Sequence, residues 1–172
     1  MKLDSDDFEL FGLPRRQALG LAELESRWKA LQAEVHPDRY ARDGAAAQRV
    51  AMQWAVRVNE AYRRLRDPLQ RAAYLCELQG APIDAQSNTA MPAAFPVQQL
   101  AWREALDEAD DAAAVRALDD EVAEAERALH DELRTLLDER GDAATAAARV
   151  RALMFVTRFR EDIDHRLEAL GQ

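Results

Sequence analysis

Glu34-Val35-His36-Pro37-Asp38-Arg39 organises the first half of the chain. Before it, apolar residues recur at helical spacing from about Leu21 to Val35. Pro37 lacks a backbone N–H and disfavours helical dihedrals in the residue before it, so this helix ends at the tripeptide His36-Pro37-Asp38. A polar loop follows from Asp38 to Gly44, and a second helical pattern runs from about Ala45 to Arg66. The layout predicts an exposed contact loop held between two packed helices.

Helical patterns also dominate the rest of the sequence, which shows no strand pattern. A short apolar segment around Phe8 precedes the first long helix, and Asp67-Pro68 starts a short helix that Gly80 closes. Three later patterns joined by short connections are typical of an antiparallel three-helix bundle. They run from about Phe95 to Asp110, from about Ala112 to Arg140, and on to about Leu170. We predict an all-α chain with an N-terminal domain at 1–79, a linker at 80–92 and a C-terminal bundle at 93–172.

The composition is that of an ordinary globular protein, with 48% hydrophobic and 32% charged residues. A net charge of −9 argues against general nucleic-acid binding, and residues 81–172 carry most of it, with 10 Lys and Arg against 20 Asp and Glu. No apolar run approaches the ~18 residues that a membrane span needs. The start of the chain shows no signal pattern, and its single cysteine, Cys76, excludes an internal disulfide. We expect a cytoplasmic protein that contacts no membrane.

His36 and Asp38 are spaced closely enough to share a general acid–base task. No nucleophile, phosphate-binding glycine loop or further metal ligand accompanies them in the sequence. His130 and His165 stand beside acidic residues on charged helices, which is typical of a solvated helix surface. We predict no catalytic residue, no metal site and no cofactor. The alternatives are a small hydrolase that uses His36 and Asp38, and a plain helical interaction protein in which the tripeptide is incidental.

A docking role for the tripeptide fits its basic surroundings better. Arg27 and Lys29 lie on the helix before it, and Arg39 and Arg42 follow it. Basic side chains beside a turn fixed by proline can engage an acidic partner. On spacing alone, the competing interpretation is a helix end with solvated charges.

A second exposed surface is predicted on the first helix after the linker, from the angular position of its residues at ~100° each. One sector, the core stripe, contains Phe95, Trp102, Leu106 and Ala109. The opposite sector contains Val97, Leu100, Glu104 and Glu108. On the last helix, Phe155 is displaced from the centre of its apolar stripe. Exposed apolar residues rimmed by charge are typical of protein-binding sites, although single apolar residues are common on any surface.

Residues 1–78 resemble a J-domain in their order of apolar lead-in, amphipathic helix, His-Pro-Asp and longer helix. The string Asp67-Pro68-Leu69-Gln70-Arg71-Ala72-Ala73-Tyr74 looks like the start of that domain's closing helix. The usual Lys after the tripeptide is replaced by Arg39, which keeps the charge. Almost the full chain is similar to the HscB family, the co-chaperones of bacterial iron–sulfur cluster assembly. The segments that carry this likeness are Phe8 to Pro14, Gln98 to Leu100, Arg103 to Glu108 and Arg151 to Phe155.

The resemblance implies an adaptor and not an enzyme, and we expect it to be a monomer. It implies that His36, Pro37 and Asp38 contact an HscA-type, DnaK-like chaperone and stimulate its ATP hydrolysis. Electrostatic contacts to that chaperone would come from Arg27, Lys29 and Arg39. The resemblance also implies that the cluster scaffold protein IscU is held by Val97, Leu100, Glu104, Glu108 and Phe155. Two positions depart from the family pattern: Pro96 replaces a large apolar residue and Ala101 replaces a carboxylate. A J-domain adaptor that carries a different client is the alternative.

Overall fold

The computed structural model describes residues 2–84 and 90–171, which fall into two compact units divided between Tyr74 and Leu75. Within these residues all regular structure is helical. The α-helices are α1 (Asp7–Phe11), α2 (Leu21–Val35), α3 (Ala45–Arg66), α4 (Pro68–Leu78), α5 (Phe95–Glu108), α6 (Ala112–Arg134) and α7 (Ala143–Ala169). The predicted all-α class is confirmed, and the bounds of α2 and α3 agree with those read from the sequence.

The first unit is built on an antiparallel hairpin of α2 and α3. Trp28 of α2 stacks on Tyr62 of α3 with ring centroids 4.2 Å apart, and its indole Nε1–H donates to Asn59 Oδ1 at 3.0 Å. Leu24 and Val58 are fully buried between the helices. The hairpin therefore fixes both ends of the connection that carries the tripeptide.

The short helix α1 is held against α3 by both apolar and charged groups. Phe8 is fully buried and its ring stacks on Tyr74 at 6.0 Å. The buried carboxylate of Asp7 pairs with Arg57 at 2.8 Å and with Arg64 at 3.4 Å. Because a buried charge is stable only when it is paired, these arginines make the position of α1 specific.

The second unit is a bundle of α5, α6 and α7. Contacts of Arg160 with Asp119 and of Arg149 with Glu132 show that α6 and α7 run antiparallel. Stacking of Trp102 on Phe159, with ring centroids 6.0 Å apart, anchors α5 to α7. Of the four residues in the predicted core stripe, Trp102, Leu106 and Ala109 are buried, whereas Phe95, at the start of α5, is only half-buried.

Two segments differ from the simple helix-and-loop prediction. The stretch predicted as a loop after His36 begins with a 3₁₀ turn, Pro37–Tyr40, because a proline at the first position favours a helical start. The predicted helix to Arg140 ends in a π-helical turn, Thr135–Glu139. The wider turn brings the consecutive residues Leu136 and Leu137 into the core, which α-helical spacing would place on different faces.

The region predicted as a linker is anchored to the bundle where the structure describes it. Ile83 is buried, and the buried guanidinium of Arg151 donates to the carbonyl oxygens of Ile83 at 3.3 Å and Ala90 at 2.7 Å. Residues 85–89 of the predicted linker lie outside the described residues. The proposed domain bounds 1–79 and 93–172 stay a prediction beside the observed division after Tyr74.

Candidate functional site

The tripeptide forms a short, ordered turn at the end of the α2–α3 hairpin. His36 has φ −60° and ψ 130°, which is the extended conformation that a following proline favours. Its Nδ1 accepts a hydrogen bond from the backbone N–H of Asp38 at 3.2 Å, and its carbonyl accepts from the N–H of Arg39 at 3.1 Å. Tyr40 ties the turn back to α2 by donating its hydroxyl to the carbonyl of Glu34 at 3.3 Å.

This hydrogen-bond pattern leaves polar groups of the turn free for a partner. Because Nδ1 of His36 accepts from the backbone, the neutral imidazole carries its proton on Nε2. The Asp38 carboxylate lies 3.7 Å from Nδ1, and the side chain of Asp38 is 93% exposed. The turn can thus present a donor and an acceptor side by side.

The three cations that the resemblance assigns to chaperone binding do not form one cluster. Arg27 donates to the carbonyl oxygens of Phe11 and Gly12, both at 2.9 Å, so it holds the end of α1. Lys29 pairs with Glu25 at 3.3 Å and lies about 200° around the α2 axis from Arg27. Arg39 is exposed in the turn itself. Of these three, only Arg39 directly follows the tripeptide, and Lys29 faces outward two turns before it.

Gly12 lies in close contact with the Arg27 guanidinium, and this contact needs a glycine. Its φ of +64° belongs to the left-handed region, where glycine is favoured because it lacks a Cβ. A Cβ at this position would lie 3.0 Å from Nη1 of Arg27. The glycine is visible in the sequence, but its contact with an arginine fifteen residues later depends on tertiary structure and could not be predicted from the sequence pattern.

The predicted face of α5 is exposed as expected. Val97 is 74% exposed and Leu100 is 61% exposed, and the side chains of Glu104 and Glu108 also face solvent. These residues lie on the side of α5 away from its buried residue Trp102. The arrangement is a narrow apolar strip followed by two carboxylates, which a protein partner can cover.

Phe155 is only half-buried, but it belongs to the packing of the bundle as well as to its surface. Its ring meets Phe95 edge-on at 5.7 Å and stacks on Phe159 at 5.7 Å. The guanidinium of Arg103 lies 5.5 Å from the Phe155 ring and pairs with Asp162 at 2.8 Å. The sequence pattern did not indicate this role for Arg103, although its position on α5, between Leu100 and the core, is compatible with it.

The described residues show no arrangement suited to a metal. Within residues 2–84 and 90–171, no group of three or more His, Cys, Asp or Glu side chains is placed to hold an ion. Burial raises the pKa of the Cys76 thiol to about 11, so this thiol stays protonated at neutral pH. No helix in this part of the chain is long and apolar enough to cross a membrane.

Comparison with known proteins finds HscB proteins as relatives of the C-terminal domain and of nearly the full chain. A family model described as the HSCB C-terminal oligomerisation domain matches residues 91–164. A protein of Bordetella petrii named co-chaperone protein HscB homolog is 54% identical, over 92% of this chain and 94% of the relative. One of the same name from Burkholderia multivorans is 48% identical over 99% and 98% of the two chains.

Solved structures agree with this class. The chaperone HscB from Vibrio cholerae has a TM-score of 0.82 and 33% identity, and the match covers 96% of this chain and 99% of that one. The human co-chaperone HscB shares the fold with a TM-score of 0.89 over 100% of this chain and 86% of that one, at 24% identity. The fold and the tripeptide turn therefore define a J-domain co-chaperone with a C-terminal helical domain. Within that class, the chain belongs to the HscB family.

Proposed function

We propose that this co-chaperone stimulates the ATPase of an HscA-type, DnaK-like chaperone and delivers the cluster scaffold IscU to it in the cytoplasm. The observation that carries the proposal is the ordered, exposed turn His36-Pro37-Asp38 at the end of a rigid helical hairpin. Membership of the HscB family supports both partners. No residue of the chain has to perform bond chemistry, because hydrolysis takes place in the partner.

At the chaperone end, the turn is shaped before the partner arrives. The proline, the Asp38–His36 hydrogen bond and the Tyr40 hydroxyl restrict the turn, so docking loses less conformational entropy than it would for a flexible loop. The exposed Asp38 carboxylate is expected to pair with a basic group on the chaperone. Arg39 and Lys29 add positive charge that steers association with an acidic surface.

At the scaffold end, we propose that Val97 and Leu100 form the apolar centre and that Glu104 and Glu108 form the charged rim. Phe155 contributes the exposed part of its ring and positions the face through Phe95. The side chain of Pro96 is shorter than the large apolar residue usual in the family, and Ala101 removes one carboxylate. The apolar contribution is therefore expected to depend chiefly on Leu100.

Single-turnover ATP hydrolysis by the chaperone tests the first half of the proposal. We expect this chain to accelerate hydrolysis and His36→Gln to abolish the acceleration. His165→Gln is the matched control, because His165 is an exposed histidine in the other unit. An unchanged rate with this chain, or equal acceleration by His36→Gln, would contradict the proposal.

Calorimetric titration with IscU tests the second half. Leu100→Ala should weaken binding about tenfold, since truncating a central apolar contact costs about 1–2 kcal/mol. Its unfolding free energy should change by less than about 0.5 kcal/mol, because the side chain is 61% exposed. Val56→Ala, at a 54% exposed valine on α3, is the control. Phe155→Ala is a poorer test, because it also removes packing.

The two measurements together separate the alternatives. Normal ATPase stimulation without an IscU complex would indicate a J-domain adaptor with a different client. An IscU complex whose affinity is unchanged in Leu100→Ala would show that the scaffold uses another surface.

A further inference from the structure

A groove between α5 and α6 is separate from the face proposed for the scaffold. It has a volume of about 470 Å³, and its floor includes the rings of Phe95 and Trp102 and the buried side chain of Leu129. Trp102 lies about 140° around the α5 axis from Val97 and about 200° from Leu100. A partner on the exposed face of α5 would therefore leave this groove open.

Trp102, at the floor of the groove, is almost completely enclosed by the bundle. The Nε1–H of Trp102 is buried, and no hydrogen-bond acceptor for it exists among the described residues. Trp102 is only 2% exposed, so its side chain gains little from solvent. A buried donor without an acceptor is unfavourable, but this nitrogen is closed off from the groove, so the floor offers a ligand apolar surface and not a hydrogen bond.

The edge of the groove is acidic. Glu121 and Glu124 are exposed on α6 and pair with no basic residue that the structure describes. Further along, Glu132 is neutralised by Arg149. These unpaired carboxylates border the same groove as its apolar floor, and they attract a cationic side chain.

We propose that this groove docks a basic amphipathic helical segment of a partner protein. The rim from Glu121 to Glu132 extends about 17 Å along α6, which is the length of about three helical turns. Apolar side chains of the segment would enter the groove, as in other helix-in-groove complexes. Its arginines or lysines would lie between Glu121 and Glu124.

Nuclear magnetic resonance of the full chain tests the proposal through its tryptophan indole signals. The probe is a synthetic helical peptide of about 14 residues made of Leu, Ala and Arg, and the control peptide has Glu in place of Arg. We expect the arginine peptide to shift the Trp102 indole signal more than those of Trp28 and Trp54. The glutamate peptide should leave all three signals unchanged.

Charge variants then locate the site. Glu121→Gln combined with Glu124→Gln should weaken the arginine peptide about fivefold, the sum expected for two exposed charge contacts. Glu139→Gln combined with Glu168→Gln changes the net charge equally at exposed sites elsewhere and should have less than about a twofold effect. Leu100→Ala should leave peptide affinity unchanged, because the scaffold face is separate.

Three results would overturn the proposal. A Trp102 signal that does not move shows that the groove is not the site. Equal weakening by both charge pairs shows attraction to overall charge only. Self-association of the chain that Glu121→Gln and Glu124→Gln abolish, measured by sedimentation, assigns the groove to a second copy of this chain instead.

Discussion

The tripeptide turn and the exposed face of α5 are both candidate interfaces, but different forces give them their shape. The turn is held by hydrogen bonds within seven residues, from the backbone N–H of Asp38 to Nδ1 of His36 and from the Tyr40 hydroxyl to the carbonyl of Glu34. On the face of α5, by contrast, Val97 and Leu100 project into solvent. Its position is set from behind by the stacking of Trp102 on Phe159. The shape of the turn is thus fixed by contacts within the turn itself. The position of the α5 face depends instead on buried residues that are not part of the face.

The largest expected effect comes from a variant that destabilises the bundle behind the α5 face and leaves the tripeptide turn unchanged. Phe159 is fully buried and stacks on both Trp102 and Phe155. Phe159→Ala should lower the unfolding free energy of the second unit by about 4 kcal/mol, because it removes apolar contacts and leaves a cavity. Hydrogen exchange followed by mass spectrometry should show faster exchange in α5 and α7 and unchanged protection in α2 and α3.

Functional measurements on the same variant complete this test. Scaffold binding should fall, while stimulation of the chaperone ATPase by saturating co-chaperone should stay normal. Equal loss of protection in α2 and α3 would mean that the two interfaces do not depend on separate cores.

The converse variant acts on the first unit. Asp7→Asn removes the buried charge that pairs with Arg57 and Arg64. We expect it to cost about 3 kcal/mol, because both arginines lose their buried counter-charge. Hydrogen exchange should become faster in α1 and α3 but not in α6. Asp4→Asn, at an exposed carboxylate, is the control and should change stability by less than about 0.5 kcal/mol.

The helices were predictable because their signals are local. Pro37 ends α2, Asp67-Pro68 starts α4, and the angular position of Leu100 gives its exposure. Contacts between distant residues were not predictable in this way. Arg27 and Lys29 are neighbours in sequence but point to different sides of α2, and Arg27 is used to hold α1. The residues assigned to partner binding stay a prediction, since helix geometry gives exposure and not a partner.

The smallest expected effect on the unfolding free energy concerns the start of α1, the short helix that packs against α3 in the first unit. Asp6 is the N-cap, and its carboxylate accepts from the backbone N–H of Glu9 at 2.9 Å and pairs with Arg15. Asp6→Ala should cost about 1 kcal/mol of unfolding free energy. Asp6→Asn should cost less, because asparagine is an equally good cap and loses only the charge. Urea unfolding monitored by exchange in α1 would measure both.

The same carboxylate predicts how pH acts on the first unit. Although burial raises its pKa, the Glu9 N–H and the Arg15 guanidinium outweigh this, and the net pKa of Asp6 is lowered from 3.8. A lowered pKa in the folded state means stability that is fully present above the unfolded pKa and lost as pH falls through the folded pKa. The stability difference between the wild-type chain and Asp6→Asn should therefore be constant near neutral pH and shrink below about pH 4. A difference that does not change with acidity would show that the Asp6 charge adds nothing beyond the cap.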